Sequence, residues 1–372
     1  MSNIFREFEV TQLHVKKAAV LGAGVMGAQI AAHLANAGVP VILFDLAARE
    51  GDKNGIVRKA LDGLKKLDPA PLASKAVLKY IDAANYDEHL HLLADCDLII
   101  EAIAERMDWK NDLYAKIAPF LASTAIVASN TSGLSINALA QGLPADVQPR
   151  FCGIHFFNPP RYMRLVEIIG TETTDAATLD ALETWLTSHL GKGVVRAFDT
   201  PNFIANRIGV FSILAVMHHT QRFDLGFATV DALTGPKIGR PKSATYRTAD
   251  VVGLDTLAHV VRTMQSTLPN DPWHRHFNVP AWLDLLIEKG ALGQKTGAGF
   301  YRKEGKAILR LDPAKGEYVP SSGKADETVN RILKKKDPAE RLKLLRESSN
   351  PQAQFVWAIL RDGWHYAAVK LA

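Results

Sequence analysis

A histidine and a glutamate sit twelve residues apart in the segment 151–169, where two apolar runs flank a polar, proline-containing stretch at 158–164. If the runs form a hairpin, His155 and Glu167 lie six residues on either side of Arg161 and face each other across it. A carboxylate opposite an imidazole fixes its tautomer, orients the ring and stabilises the imidazolium, which is what a general base requires. The same spacing also suits a strand histidine that is merely satisfied by its neighbour. A slip of one residue in register would separate the two.

A second pattern concerns phosphates. Gly22-Ala23-Gly24-Val25-Met26-Gly27 matches G-x-G-x-x-G, and such triplets often mark only a turn. Here an apolar run precedes it, a helical pattern follows, and the next apolar run ends in Asp45, 21 residues after Gly24. Gly22 permits a tight turn, Gly24 lets a pyrophosphate approach the backbone, and Gly27 lets helix and strand pack closely. The free N–H groups of the helix start, those of Val25 and Met26 among them, then face the phosphates. Asp45 can accept from both ribose hydroxyls and would repel a 2′-phosphate, which favours NAD over NADP. Arg49 lies near enough in sequence to weaken that preference.

Other polar residues fall at element ends. Ser129-Asn130-Thr131-Ser132 follows an apolar run, where the carboxyl edge of a parallel sheet opens onto a ligand crevice, and the same residues could equally cap a helix. Glu105 and Lys110 follow the run 97–102 and could stand near a nicotinamide or form an exposed salt-bridged face. Asn206 lies near the start of a long apolar helix. Arg58, Lys59, Lys65, Lys66, Lys75 and Lys79 could contact phosphates or form a solvated face. Cys152 reads as a small buried strand residue rather than a nucleophile. The His pairs 89/91, 218/219 and 274/276 lack further ligands at motif spacing, so no metal is expected.

The elements that must position these groups can be read from the pattern. The chain has 372 residues, 47% hydrophobic and 22% charged, which excludes disordered and disulfide-scaffold classes and suggests two or three domains. Through residue 150, strands alternate with helices, implying parallel crossover units: a doubly wound α/β domain over 1–199. Residues 200–302 read as an all-α domain. Residues 303–372 read as a basic linker and the start of a further, mainly helical and truncated segment, whose apolar final helix should continue or pack on something. The net charge of +5 is concentrated in 301–350, the first 300 residues being essentially neutral, so a nucleic-acid partner is not expected. Two cysteines, no membrane-length apolar run and no secretory signal point to a reducing cytoplasm.

The strings VLGAGVMGAQIA, SNTSGLSI, HFFNPP…LVEII, DTPNFIANRI and LGQKTGAGFY together resemble the L-3-hydroxyacyl-CoA dehydrogenases of fatty-acid β-oxidation, over roughly residues 15–302. The resemblance implies a Rossmann-type domain followed by a helical domain that usually mediates dimerisation. It implies NAD as cofactor, an acyl-CoA substrate, His155 as base and Glu167 as its partner. Ser132 and Asn206 would hold the substrate's 3-oxygen, Glu105 and Lys110 would line the NAD pocket, and Asn130 would lie beside the nicotinamide. This chain departs from the family at two places: Asn202 stands where a Gly commonly follows D-T-P, and Gly133 stands where a second Ser is frequent. The segment after 302 resembles the middle of longer multifunctional proteins in which a hydratase domain follows. Two rivals remain: another NAD-dependent 3-hydroxyacid dehydrogenase, commonly with a lysine base, and a non-catalytic NAD-binding protein on the same scaffold.

Overall fold

The computed structural model describes residues 13–312 and 315–371. The chain divides into two compact units, Met1–Phe203 and Ile204–Ala372. The first is built on eight strands; the central ones are largely apolar without alternation, as expected where both faces are covered, and the two edge strands carry exposed residues. The eight are β1 (Ala18–Leu21), β2 (Val41–Asp45), β3 (Ile81–Asn85), β4 (Leu98–Glu101), β5 (Ile126–Ser129), β6 (Phe151–Phe156), β7 (Leu165–Ile169) and β8 (Gly193–Ala197). Their order is β3-β2-β1-β4-β5-β6-β7-β8. The first six are parallel, β7 runs antiparallel to β6, and β8 is parallel to β7. The order 3-2-1-4-5-6 is that of the Rossmann fold, whose ligand crevice opens between β1 and β4, where the strand order reverses.

Helices α1 (Val25–Asn36), α2 (Gly55–Leu64), α3 (Met107–Ile117), α4 (Ile136–Ala140) and α5 (Ala176–Leu190) complete this unit. Apolar residues of α1 such as Ile30, Ala31 and Leu34 are fully buried with Val20, Leu43 and Ile100 in one core. α5 buries Leu182, Trp185 and Leu186 and stops at Gly191, which adopts the left-handed φ of 64° favoured by a glycine just past a helix end.

The second unit carries α6 (Ala205–Arg222), α7 (Phe227–Leu233), α8 (Tyr246–Val252), α9 (Leu254–Thr267) and α10 (Ala281–Glu288). There follow β9 (Tyr301–Glu304), β10 (Ala307–Asp312) and β11 (Glu317–Pro320), then α11 (Glu327–Leu333), α12 (Pro338–Glu347) and α13 (Pro351–Leu371). The expected linker is thus replaced by an antiparallel sheet in the order β11-β10-β9 and two short capped helices. Asp326 accepts from the N–H groups of Thr328 and Val329, and Asp337 from those of Ala339 and Glu340. The final helix packs within this unit. The ring of Tyr366 stacks on Phe211 of α6 at 4.1 Å, and Asp362 meets His219 at 2.7 Å. Among the described residues, no helix is long and apolar enough to cross a membrane.

Candidate active site

The β6–β7 hairpin sets His155 directly opposite Glu167, the register expected from the sequence. His155 Nδ1 lies 2.7 Å from Glu167 Oε2, and both residues are buried. A carboxylate at Nδ1 keeps the proton there and leaves the Nε2 lone pair free. Ser132 Oγ stands 3.1 Å from Nε2. Carboxylate, imidazole and hydroxyl therefore form one chain. Phe157 packs edge-on against the imidazole at 4.5 Å and Phe203 lies tilted at 5.6 Å. The hairpin tip is fixed by Lys192, whose buried ammonium donates to the carbonyls of Pro160 and Met163. Burial pulls this lysine down to about 8.

Two carboxylates hold the loop that carries Ser132. At its start, Glu105 accepts from Thr131 Oγ1 at 2.5 Å and from Ser132 N at 2.6 Å. At its far end, Asp199 accepts from Ser135 Oγ at 2.7 Å, Ile136 N at 2.9 Å and both Asn137 nitrogens at 2.8 Å. Asn130 is tied into β6, its Oδ1 accepting from Phe156 N at 2.9 Å.

The glycine motif has the shape a dinucleotide needs. Gly22 adopts a φ of +103°, and a Cβ on Gly27 would stand 1.8 Å from the Gly22 carbonyl oxygen, so only glycine allows this approach. A Cβ on Gly24 would meet nothing within 4 Å, which leaves its backbone open to a ligand. Asp45 closes the turn, accepting from Ala23 N at 2.6 Å and Leu46 N at 2.7 Å. A cavity of about 510 Å³ lies here, bounded by Gly22, Gly24, Asp45, Tyr86, Ile103 and Trp109 among others. Asp45 at its wall, the open Gly24 backbone and the free start of α1 fit the ribose and pyrophosphate of NAD.

Some expected residues lie elsewhere. Lys110 does not bound this cavity. It is fully buried, and its Nζ is 2.6 Å from the equally buried Glu101. Glu101 also accepts from Ser129 Oγ at 2.7 Å, Tyr114 OH at 3.0 Å and Ile103 N at 2.7 Å. A buried ammonium needs such a partner, because desolvating a lone charge is prohibitive. Asn206 lies on the first turn of α6, in the second unit, half-buried. In the lysine-rich run, Arg58 pairs with Asp52 at 2.6 Å and Lys65 with Asp62 at 2.7 Å, all on exposed positions. Cys152 and Cys96 are buried thiols, pushed up to about 12 by desolvation. Among the described residues, no cluster of three or more His, Cys, Asp or Glu could hold a metal.

Sequence reasoning passed over Glu101 and Asp199. Glu101 had a signal, a carboxylate closing the apolar run LIIE, with Lys110 and Tyr114 one helical turn apart beyond it. Asp199 had none, because its partners lie more than 60 residues away.

This geometry, a Rossmann sheet with a His–Glu pair on an appended hairpin, agrees with the comparisons to known proteins. Residues 17–200 match the model of the 3-hydroxyacyl-CoA dehydrogenase NAD binding domain, and residues 203–303 that of the family's C-terminal domain. The chain belongs to the 3-hydroxyacyl-CoA dehydrogenase family, whose members are NAD-dependent oxidoreductases.

Among individual relatives, it is 42% identical over 292 residues to a protein of Deinococcus radiodurans described as a 3-hydroxyacyl-CoA dehydrogenase, covering 78% of this chain and 84% of that one. It is 40% identical over 370 residues to a protein of Bacillus subtilis with the same description, covering 95% of this chain and 47% of the relative. A Rickettsia felis protein described as a fatty acid oxidation complex trifunctional enzyme is 37% identical over 327 residues, 86% of this chain and 45% of that one. The chain thus spans about half the length of the Bacillus and Rickettsia relatives. The solved structure of 3-hydroxybutyryl-CoA dehydrogenase from Escherichia coli superposes with a TM-score of 0.68 at 30% identity, covering 81% of this chain and 62% of that one.

Proposed function

We propose that this chain oxidises (S)-3-hydroxyacyl-CoA thioesters to 3-oxoacyl-CoA with NAD, in fatty-acid oxidation. The observation that carries the reading is the line Glu167–His155–Ser132, its first two members buried and its hydroxyl end half-buried, with 2.7 Å and 3.1 Å between its members. His155 Nε2 takes the proton of the 3-hydroxyl, and Glu167 stabilises the imidazolium that results. Ser132 holds the oxygen as it becomes a carbonyl. NAD, held by residues 22–27 and Asp45, supplies a hydride acceptor when bound. Glu105 and Asn130 serve that site by holding the Ser132 loop and β6. Lys110 acts on it only through Glu101, beneath the cavity.

A lysine-base dehydrogenase finds less support. The two buried lysines of the first unit, Lys110 and Lys192, are both engaged with structural acceptors. The relatives' descriptions support 3-hydroxyacyl-CoA substrates, and the trifunctional description of the Rickettsia felis protein supports further activities beside this one in that relative. We also propose homodimerisation through the helical unit. The test of the activity is NADH formation, followed spectrophotometrically, with 3-hydroxyacyl-CoA substrates of graded chain length. No NADH with any of them overturns the reading.

A further inference from the structure

Gly133 and Asn202, in two separate loops of the first unit, adjoin each other. A Cβ added to Gly133 would meet a single neighbour within 4 Å, the Oδ1 of Asn202, at 3.6 Å. A side chain at 133 would therefore lie in contact with the Asn202 carboxamide.

Asn202 is an expensive residue to keep there. Its φ is +61°, a region that glycine enters freely and other residues reluctantly. It is buried, yet its amide Nδ2 has no hydrogen-bond partner. Unsatisfied donors of this kind are rare in folded proteins, and backbone strain tends to gather at functional sites. Both features fall beside the reacting groups. Gly133 follows Ser132, whose hydroxyl contacts His155, and the ring of Phe203, next to Asn202, lies 5.6 Å from the imidazole. Gly133 itself is exposed, so the space beside the carboxamide is open. A half-turn of the amide about its terminal bond brings its donor to that side.

We propose that Asn202 is a specificity-determining residue whose carboxamide, beside the side-chain-free Gly133, donates to the thioester carbonyl of the bound acyl-CoA. The inference rests on the reading above, in which Ser132 holds the 3-oxygen. The thioester oxygen is the second acceptor of a 3-oxoacyl chain, two carbons further on, and a donor next to Ser132 is suited to it.

The test uses the full chain and the variants Asn202→Gly, Asn202→Asp, Gly133→Ser and Asn202→Gly/Gly133→Ser. Steady-state kinetics are measured with acetoacetyl-CoA and NADH, together with the NADH Kd and the Tm. Glycine relieves the positive φ, so Asn202→Gly should fold at least as well as the parent. A purely structural Asn202 would leave its KM unchanged. The proposal expects KM for acetoacetyl-CoA to rise about 3–10-fold, the worth of one neutral hydrogen bond, with kcat and NADH affinity little altered. Asn202→Asp keeps the shape but loses the donors, and should raise KM at least as much. In the double variant the two changes should cost less than the product of the single effects. An unchanged KM in Asn202→Gly or Asn202→Asp, or strictly multiplicative effects, overturns the proposal. No turnover of acetoacetyl-CoA by the parent chain overturns the underlying reading, and this inference with it.

Discussion

The two units bury the same kinds of charged residue but use them differently. In the first, His155 stands one residue before the end of β6 with Glu167 opposite it on β7, and among the described residues its Nε2 faces only the half-buried Ser132 hydroxyl. In the second, buried carboxylates are stitched into the backbone. Asp250 accepts from Phe300 N at 2.8 Å and Tyr301 N at 3.0 Å, and Asp231 from Thr245 N at 3.1 Å and Tyr246 N at 2.8 Å. Asp271 receives Arg207 and Lys370, both at 2.7 Å, and so joins α6 to α13. A buried charge therefore indicates a reaction centre only when one of its faces is left to a ligand. Where every acceptor position is taken by backbone or by an opposite charge, the same residue is a strut.

That contrast can be broken by experiment, beginning with the largest effect. Replacing His155 by Gln should cut kcat by ~10²–10⁴ while NAD binding and Tm stay near those of the parent, as loss of a general base predicts. A large fall in Tm, or near-normal turnover, would move His155 into the structural class. The converse substitution is Asp271→Ala, which removes the buried carboxylate shared by Arg207 and the half-buried Lys370. It should cost about 3–5 kcal/mol in denaturant unfolding of the second unit, and a loss below 1 kcal/mol would show that the junction is not a strut.

The third prediction concerns pH and has opposite signs in the two units. Burial, helped by Lys192 and Arg161, pulls His33 in α1 from 6.5 down to about 4. Its neutral form is favoured on folding, so its contribution is present above pH 6.5 and is lost as pH falls toward 4. Burial raises Asp250 from 3.8 to about 6. Its contribution is present below pH 3.8 and is lost as pH rises through 6. Every tenfold change in proton affinity between the unfolded and folded chain corresponds to about 1.4 kcal/mol. Against the parent, His33→Leu should flatten the loss of stability on acidification, and Asp250→Asn should flatten the gain. Parallel pH–stability curves for parent and variant would refute either assignment. The smallest effect is expected at Asp45. Its replacement by Ala removes a charged acceptor, which should raise the KM for NAD by roughly 10-fold or more and narrow the preference over NADP.

The first unit was far more legible than the second. Most of its strands are apolar runs of four to six residues, so composition separates them from the helices, whereas the edge strands β3 and β8, with Asp82 and Arg196 in them, gave no such signal. The His155–Glu167 pairing could be read because a hairpin ties position in sequence to position in space. The Glu105 and Asp199 clamps could not, since both join segments far apart in the chain. In the second unit, β9 to β11 escaped because their faces mix Arg302, Lys303 and Glu304 with Ile308 and Leu311, which gives no clean two-residue alternation. α13 looked unpartnered only because its partner, α6, lies more than a hundred residues earlier. Lys110 was misplaced because its character depends on Glu101, and a sequence does not show which carboxylate a lysine will be buried against.

The chain's only two cysteines, Cys96 and Cys152, are both inaccessible and carry a proton throughout the neutral range. For labelling chemistry this amounts to a chain without cysteine. A single thiol introduced on any exposed loop would be the one group to react with maleimides or spin labels near pH 7. Distances and motions could then be followed in the otherwise unmodified protein, with no background to remove.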